Sequence, residues 1–187
     1  ALEAALERVS QGATEMVLVS GTAGVGKTAL VGEIQRFVAQ KNGYLISGKF
    51  DQLRHNIPYS ALIQALRELI RQVSTEGKSR MEHWKSRIRA ALGPNGQLMT
   101  KVIPELEQMI GPQPPLLEMG SLEARNRFTA VLLDFISVFC EKTHPLVIFL
   151  DDLQWVDADT LKLVERIAQD PERKPLLFLG AYRDDKV

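Results

Sequence analysis

The sequence predicts an α/β fold, a three-layer α/β/α sandwich with a mainly parallel sheet and a helical insert. Three observations carry that expectation. Four apolar runs of strand length alternate with longer stretches of helical periodicity. The late runs are continuously apolar, as strands buried on both faces of a parallel sheet are. The first run passes directly into a glycine-rich loop and then a helix.

Each element follows from its own pattern. Ala1 to Ser10 reads as the end of an amphipathic helix, with Leu2, Leu6 and Val9 on one side and Gly12 as punctuation. Glu15 to Ser20 reads as the first strand. Ala29 to Val38 is helical, with apolar positions 30, 31, 34, 37 and 38 on one face. Asn42-Gly43 turns the chain into a second strand, Tyr44 to Phe50. From Pro58 to Val73, positions 61, 62, 65, 66, 69, 70 and 73 make a continuous helix face. A further helix spans about Arg80 to Leu92 and stops at Gly93-Pro94-Asn95-Gly96. Short helical turns follow near Leu98–Ile103 and Glu105–Ile110. Gly111-Pro112-Gln113-Pro114-Pro115 is a rigid connector marking the edge of a helical insert, about 58–115, within a single domain over 1–187. Ser121 is expected to cap a long helix to about Glu141, whose positions 128, 131, 132, 135, 136 and 139 suit packing onto a sheet. Leu146 to Leu150 and Leu176 to Gly180 complete the strands. Parallel strands need crossovers, and helices supply them, so both sheet faces should be covered.

The loop after the first strand carries the most specific signal. Gly21-Thr22-Ala23-Gly24-Val25-Gly26-Lys27-Thr28 fits the phosphate-loop pattern G-x-x-x-x-G-K-[ST] at every position. Glycines let backbone N–H groups curl inward around phosphate, and the following helix N-terminus adds its dipole. Lys27 would reach the β- and γ-phosphates, and the Thr28 hydroxyl would ligate Mg²⁺. A ligand-free glycine turn is the competing reading, and the strand before and helix after the loop weigh against it.

Two carboxylates end the third strand. In Leu150-Asp151-Asp152-Leu153-Gln154-Trp155, Asp151 suits the Walker B role of holding Mg²⁺, and Asp152 is placed to orient or deprotonate an attacking water. An aspartate there can equally be a helix cap, although Asp157 is the better cap for a helix beginning near Ala158. Aspartate at 152 is also one methylene shorter than glutamate, which shortens its reach to a water. Arg183, after Ala181-Tyr182, could contact a γ-phosphate; a surface arginine paired with Asp184 or Asp185 is the alternative.

Bulk composition narrows the classes. With 187 residues, 45% hydrophobic and 25% charged, the chain can build a full core. Its formal charge is zero, so no broad basic face points to nucleic acid. The single cysteine, Cys140, excludes an internal disulfide, suits a reducing cytoplasm, and reads as a small core residue of a helical stretch. No segment looks able to span a membrane. His55, His83 and His144 lack ligand spacing, so no protein-bound zinc is expected. Trp84 and Trp155 read as packing residues. The absence of an initiating methionine, and an end just after a strand, suggest a piece of a longer polypeptide.

With these motifs placed, the chain resembles the AAA-type P-loop NTPase module, of the signal-transduction (STAND-like) branch, found in large bacterial multidomain signalling kinases. Gly48-Lys49-Phe50-Asp51-Gln52, Ile57-Pro58-Tyr59-Ser60 and Val102-Ile103-Pro104-Glu105-Leu106 resemble segments of the same family, so the similarity spans nearly the whole chain. In those proteins a serine/threonine kinase-like domain precedes the module, and GAF and histidine-kinase domains follow. The resemblance implies a sheet with the phosphate-loop strand beside the strand ending at Gly180, the Walker B strand next, and the Tyr44–Phe50 strand outermost. Arg183 would then be a sensor 1-like residue. It also implies an adenine-contacting segment before Ala1, and a fifth strand and helical lid after Val187, none of them in this chain. The first strand would then be an exposed edge, and self-association through it is expected. No arginine finger is assigned; Arg125 and Arg127 are the residues to hand.

The leading functional expectation is an ATP-hydrolysing regulatory switch acting on other domains of its parent protein, with ATP and ADP as ligands and Mg²⁺ as cofactor. A nucleotide-binding interaction module with negligible hydrolysis is the alternative. A small-molecule kinase is a third reading, less suited to two adjacent carboxylates.

Overall fold

The computed structural model describes residues 2–21, 27–54, 56–172 and 174–183, and the side chains at 27 and 28 lie outside the description. Along the chain run α1 (Leu2–Ser10), β1 (Thr14–Ser20), α2 (Lys27–Gln40), β2 (Tyr44–Lys49), α3 (Ser60–Ser74), α4 (Lys78–Leu92), α5 (Gly96–Val102), α6 (Glu105–Ile110), α7 (Ser121–Val138), β3 (Leu146–Asp151), α8 (Ala158–Ala168) and β4 (Leu176–Tyr182). The elements gather into two compact units, one of residues 1–65 and 140–187, the other of residues 66–139.

The first unit is built on a four-stranded sheet in the order β1-β4-β3-β2, with all three pairings parallel. This is the order that the family resemblance implies. β3 and β4 are the interior strands, and their apolar runs are buried on both faces, as continuous hydrophobicity requires. On one face α1 and α2 bring Leu6, Val9, Ile34 and Val38 against Val147, Phe149, Leu177 and Leu179. On the other, α8 lays Thr160, Leu161 and Val164 beside Leu150 and Phe178. That face also receives the start of α3, because a Cβ at Gly48 would collide with the backbone carbonyl of Ala61. Glycine at 48 is thus a condition for helix and strand to approach so closely. β1 is an edge of the sheet among the described residues, with Met16 and Leu18 41% and 58% exposed.

The second unit is helical. α3 begins in the first unit and continues into this one, and all seven apolar positions read from its periodicity are buried. Trp84 of α4 is buried, donates its indole N–H to Glu76 at 3.2 Å, and packs at 5.1 Å from Phe139, which in turn meets Phe135 of α7 edge-on at 5.5 Å. Within this unit the apolar stripe of α7 has α4 as a partner. Two expectations about α7 need correction. Gly120, extended at φ −61° and ψ 154°, occupies the N-cap position, and Ser121 is already helical. The helix ends at Val138, where the Phe139 N–H turns back to Ile136 O at 3.1 Å in a tightened last turn, so Cys140 lies past the helix and is only partly buried.

One polar cluster ties the helices of this unit. Glu105, in the first turn of α6, accepts from Arg67 at 2.8 Å and from Arg71 at 2.9 Å. Hydrogen bonds from Arg67 outweigh partial burial and hold its carboxyl at about 2. A carboxyl depressed in the folded state stabilises fully above its unfolded value and loses that contribution as pH falls through the folded one. Glu105→Gln is therefore expected to cost about 1 kcal/mol at neutral pH, since both arginines are largely exposed. The gap to wild type should close between pH about 4.5 and about 2. Urea denaturation across that range checks it, and a gap independent of pH would remove the ion pairs as its cause.

Candidate functional site at the carboxyl ends of the strands

Parallel strands bring their carboxyl ends to one edge of the sheet, which is where open α/β sheets bind ligands. Here the register sets Lys49 of β2 opposite Asp151 of β3, and Leu150 of β3 opposite Gly180 of β4. The Phe50 N–H donates to Asp151 O at 3.1 Å, extending the ladder by one more bond.

Immediately after β3 the chain turns sharply. Asp152 adopts the left-handed conformation, φ 56° and ψ 46°, and its carbonyl accepts from the Trp155 N–H at 3.0 Å to form the 3₁₀ turn Leu153–Trp155. Aspartate is among the few non-glycine residues that enter this region readily. Space for the turn comes from Gly180 of β4, because a Cβ there would meet the Leu153 and Leu18 side chains. Asp157 then caps α8, accepting from the Thr160 N–H at 2.8 Å and its hydroxyl at 2.7 Å. The cap assignment read from sequence is thus met by Asp157, which leaves Asp152 without a helix-capping bond.

The turn drives the Asp152 side chain inward, and the residue is only 6% exposed. Its carboxylate accepts from Gln154 Nε2 at 3.0 Å and faces Lys49 Nζ at 3.3 Å and Arg183 Nε at 3.3 Å. Burial pushes its pKa up, but the hydrogen bonds from Gln154 and Lys49 and the charges of Lys49 and Arg183 bring it below the ordinary carboxylate range. Gln154 acts twice, since its Oε1 also accepts from the Arg183 backbone N–H at 3.3 Å. The Arg183 contact is a charge contact: Nε is buried and has no hydrogen-bond partner among the described residues. Asp184 and Asp185, the alternative partners for Arg183, lie outside the described residues. Asp151 is half-buried at the strand end, and one of its carboxylate oxygens accepts from the Asp152 N–H at 2.9 Å.

The structure thus brings Asp151, Asp152 and Arg183 together, and adds two residues that sequence reasoning gave no role, Lys49 and Gln154. Lys49 was legible only as a lone cation at the end of a strand, and its partner follows from register. Gly21, the first residue of the phosphate loop, directly follows β1, and Thr22, Ala23, Gly24, Val25 and Gly26 lie outside the described residues. Lys27 and Thr28 open α2, directly after the loop.

Strand order, a glycine loop between β1 and α2, and carboxylates ending β3 converge on one family. Residues 1–179 match the AAA ATPase domain family. The chain belongs to it. This AAA domain is similar to a stretch of the hybrid signal transduction histidine kinase G of Dictyostelium discoideum, at 38% identity over 164 residues and 88% of the chain. It also aligns with the histidine protein kinase 1 of Candida albicans, at 21% identity over 83% of the chain. The peroxide stress-activated histidine kinase mak3 of Schizosaccharomyces pombe matches at 26% over 56% of the chain. The chain spans only 5%, 7% and 4% of those relatives' own lengths. All three are eukaryotic kinases, so the association with signalling kinases reaches beyond the bacterial setting that the sequence resemblance suggests. No helix among the described residues is long and apolar enough to cross a membrane.

The left-handed turn at Asp152 makes a prediction about substitution. Asp152→Asn keeps a residue tolerant of that backbone, whereas Asp152→Val should cost about 1–2 kcal/mol more from strain alone. Urea denaturation of the two variants measures the difference, and equal stabilities would mean that the left-handed turn is not retained.

Proposed function

We propose that this AAA domain is a Mg-ATP-binding, ATP-hydrolysing switch of a multidomain signalling kinase, working in the cytoplasm on neighbouring domains of its parent protein. The shared strings Gly48–Gln52 and Val102–Leu106 support placing it in the STAND-like branch, as found in bacterial kinases. The observation that carries the reading is the convergence of Asp151, Asp152 and Arg183 at the carboxyl edge of the sheet.

In this reading the backbone of Gly21 to Gly26 cradles the phosphates and Lys27 holds the β- and γ-phosphates. Thr28 and Asp151 would hold Mg²⁺, which supplies charge neutralisation for the transferred phosphate. Asp151 suits that part: it ends a buried strand, makes no ion pair among the described residues, and Mg²⁺ asks for only one or two carboxylates beside phosphate and water. Asp152 orients the attacking water and accepts its proton. Arg183, with its Nε lacking a hydrogen-bond partner, is a donor in reserve for a γ-phosphate oxygen.

A second reading, nucleotide binding with negligible hydrolysis, is favoured by one observation. Asp152 is held by Lys49 and Gln154, and a carboxylate so engaged is a weak base. Slow turnover, on the order of 10⁻⁴ to 10⁻² s⁻¹, is what signalling NTPases show without a supplied arginine finger.

Titration calorimetry with Mg-ATP, Mg-ADP and Mg-GTP tests binding, with ATP and ADP expected to bind and Lys27→Ala to abolish the signal. Binding unaffected by Lys27→Ala would overturn the phosphate-loop assignment. Asp152→Asn should then spare binding and lower single-turnover hydrolysis by about 10²-fold or more; unchanged turnover would take Asp152 out of the mechanism. Self-association through the exposed β1 edge is expected as well. Light scattering at rising concentration reads it, and a monodisperse monomer throughout would count against it.

A further inference from the structure

Beside Asp152, on the side of β2, lies a cleft of about 410 Å³ lined by Lys49, Asp51, Arg54, Gln64, Asp152 and Trp155 among others. Counting donors and acceptors says what fits it. Both carboxylates already accept: Asp51 takes the Leu53 N–H on one oxygen at 2.8 Å, and Asp152 takes Gln154, Lys49 and Arg183. Gln64 has its carbonyl oxygen on the Lys49 backbone N–H at 3.3 Å, which leaves its amide donors. Lys49 offers three ammonium donors and directs them to one partner, while its side chain is 61% exposed. Arg54 is exposed and has no ion pair among the described residues. The cleft therefore holds more unused donors, most of them cationic, than free acceptors. That is the complement of an oxyanion.

We propose that this cleft is a second anion site, which takes a phosphate-sized oxyanion between Lys49 and Arg54 and draws the Lys49 ammonium away from Asp152. The ion pair it competes with is the hold on Asp152 most open to solvent, because the Lys49 side chain is mostly in water, whereas Gln154 is a neighbour in the same turn. Filling the cleft releases the carboxylate from one of its two cations without disturbing Arg183. The binding step stands on the cleft alone. Its regulatory consequence rests on the proposed role of Asp152 in hydrolysis.

The phosphate loop also binds phosphate, so the experiment separates the two. Inorganic phosphate is titrated into nucleotide-free protein at constant ionic strength, with tryptophan emission as the readout. Trp155 lines the cleft, and the chain's other tryptophan, Trp84, is buried in the helical unit. A saturable change is expected in wild type and equally in Lys27→Ala. Arg54→Gln and Lys49→Met should each weaken it by about tenfold or more, and Trp155→Phe should lose it. A response that disappears in Lys27→Ala and persists in Arg54→Gln would assign the anion to the phosphate loop and overturn the site, as would the absence of saturation. Competition by Mg-ATP in wild type but not in Lys27→Ala would identify the nucleotide's own terminal phosphate as the occupant; additive binding would identify a free anion. If ATP fails to bind while phosphate saturates the cleft, the switch reading falls and the anion site remains.

Discussion

Everything at the candidate site depends on how the chain leaves β3. A parallel strand that ends in open solvent would carry its last carboxylate outward. Here the left-handed residue at 152 reverses the backbone within one residue, and the side chain turns under the strand ends instead. Burying a carboxylate in this way is unfavourable unless its charge is answered, and each answering group comes from a different place. Lys49 ends β2, Gln154 belongs to the turn itself, and Arg183 follows β4. One backbone conformation therefore joins three strand ends into a single polar cluster.

Close backbone approach makes that conformation possible. The turn after β3 lays the Leu153 side chain where a Cβ on residue 180 would stand, and Gly180 leaves that space open. On the neighbouring strand Gly48 plays the same part for Ala61, and this brings Gln64 of α3 within reach of the Lys49 N–H. Each glycine lies close in sequence to a charged residue of the site: Gly48 directly precedes Lys49, and Gly180 comes three residues before Arg183. Their effect on chemistry is indirect: they set where the polar ends of β2 and β4 lie relative to Asp152.

How much of this was legible depended on whether the signal was local. The buried runs Leu146–Leu150 and Leu176–Leu179, the apolar face of α3 and the Asp157 cap each follow from a few neighbouring residues, and the structure bears them out. Strand order was accessible through resemblance rather than through periodicity, since nothing in a strand's own residues names its neighbour. The errors at α7 have a local cause too. A serine before an apolar stripe is a good cap on average, but a glycine one residue earlier took the extended conformation that the cap position requires. Lys49 and Gln154 escaped notice for a related reason. An isolated lysine and an isolated glutamine have no spacing to read, and only the register of β2 against β3 and the turn at Asp152 give them partners.

The arrangement around Asp152 also bears on whether the domain turns nucleotide over. A general base works best when its proton affinity is high, and two cations plus an amide donor lower the affinity of this one. Aspartate at this position adds a shorter reach. Of the three restraints, Gln154 is covalently near and Arg183 belongs to the part of the site assigned to phosphate, so neither can be withdrawn without dismantling the cluster. Lys49 is different: its stem is flexible, its ammonium is mostly solvated, and it faces a cleft with room for a competing anion. In the proposed reading, the balance between a domain that merely holds nucleotide and one that hydrolyses it turns on the one restraint of the three that can move.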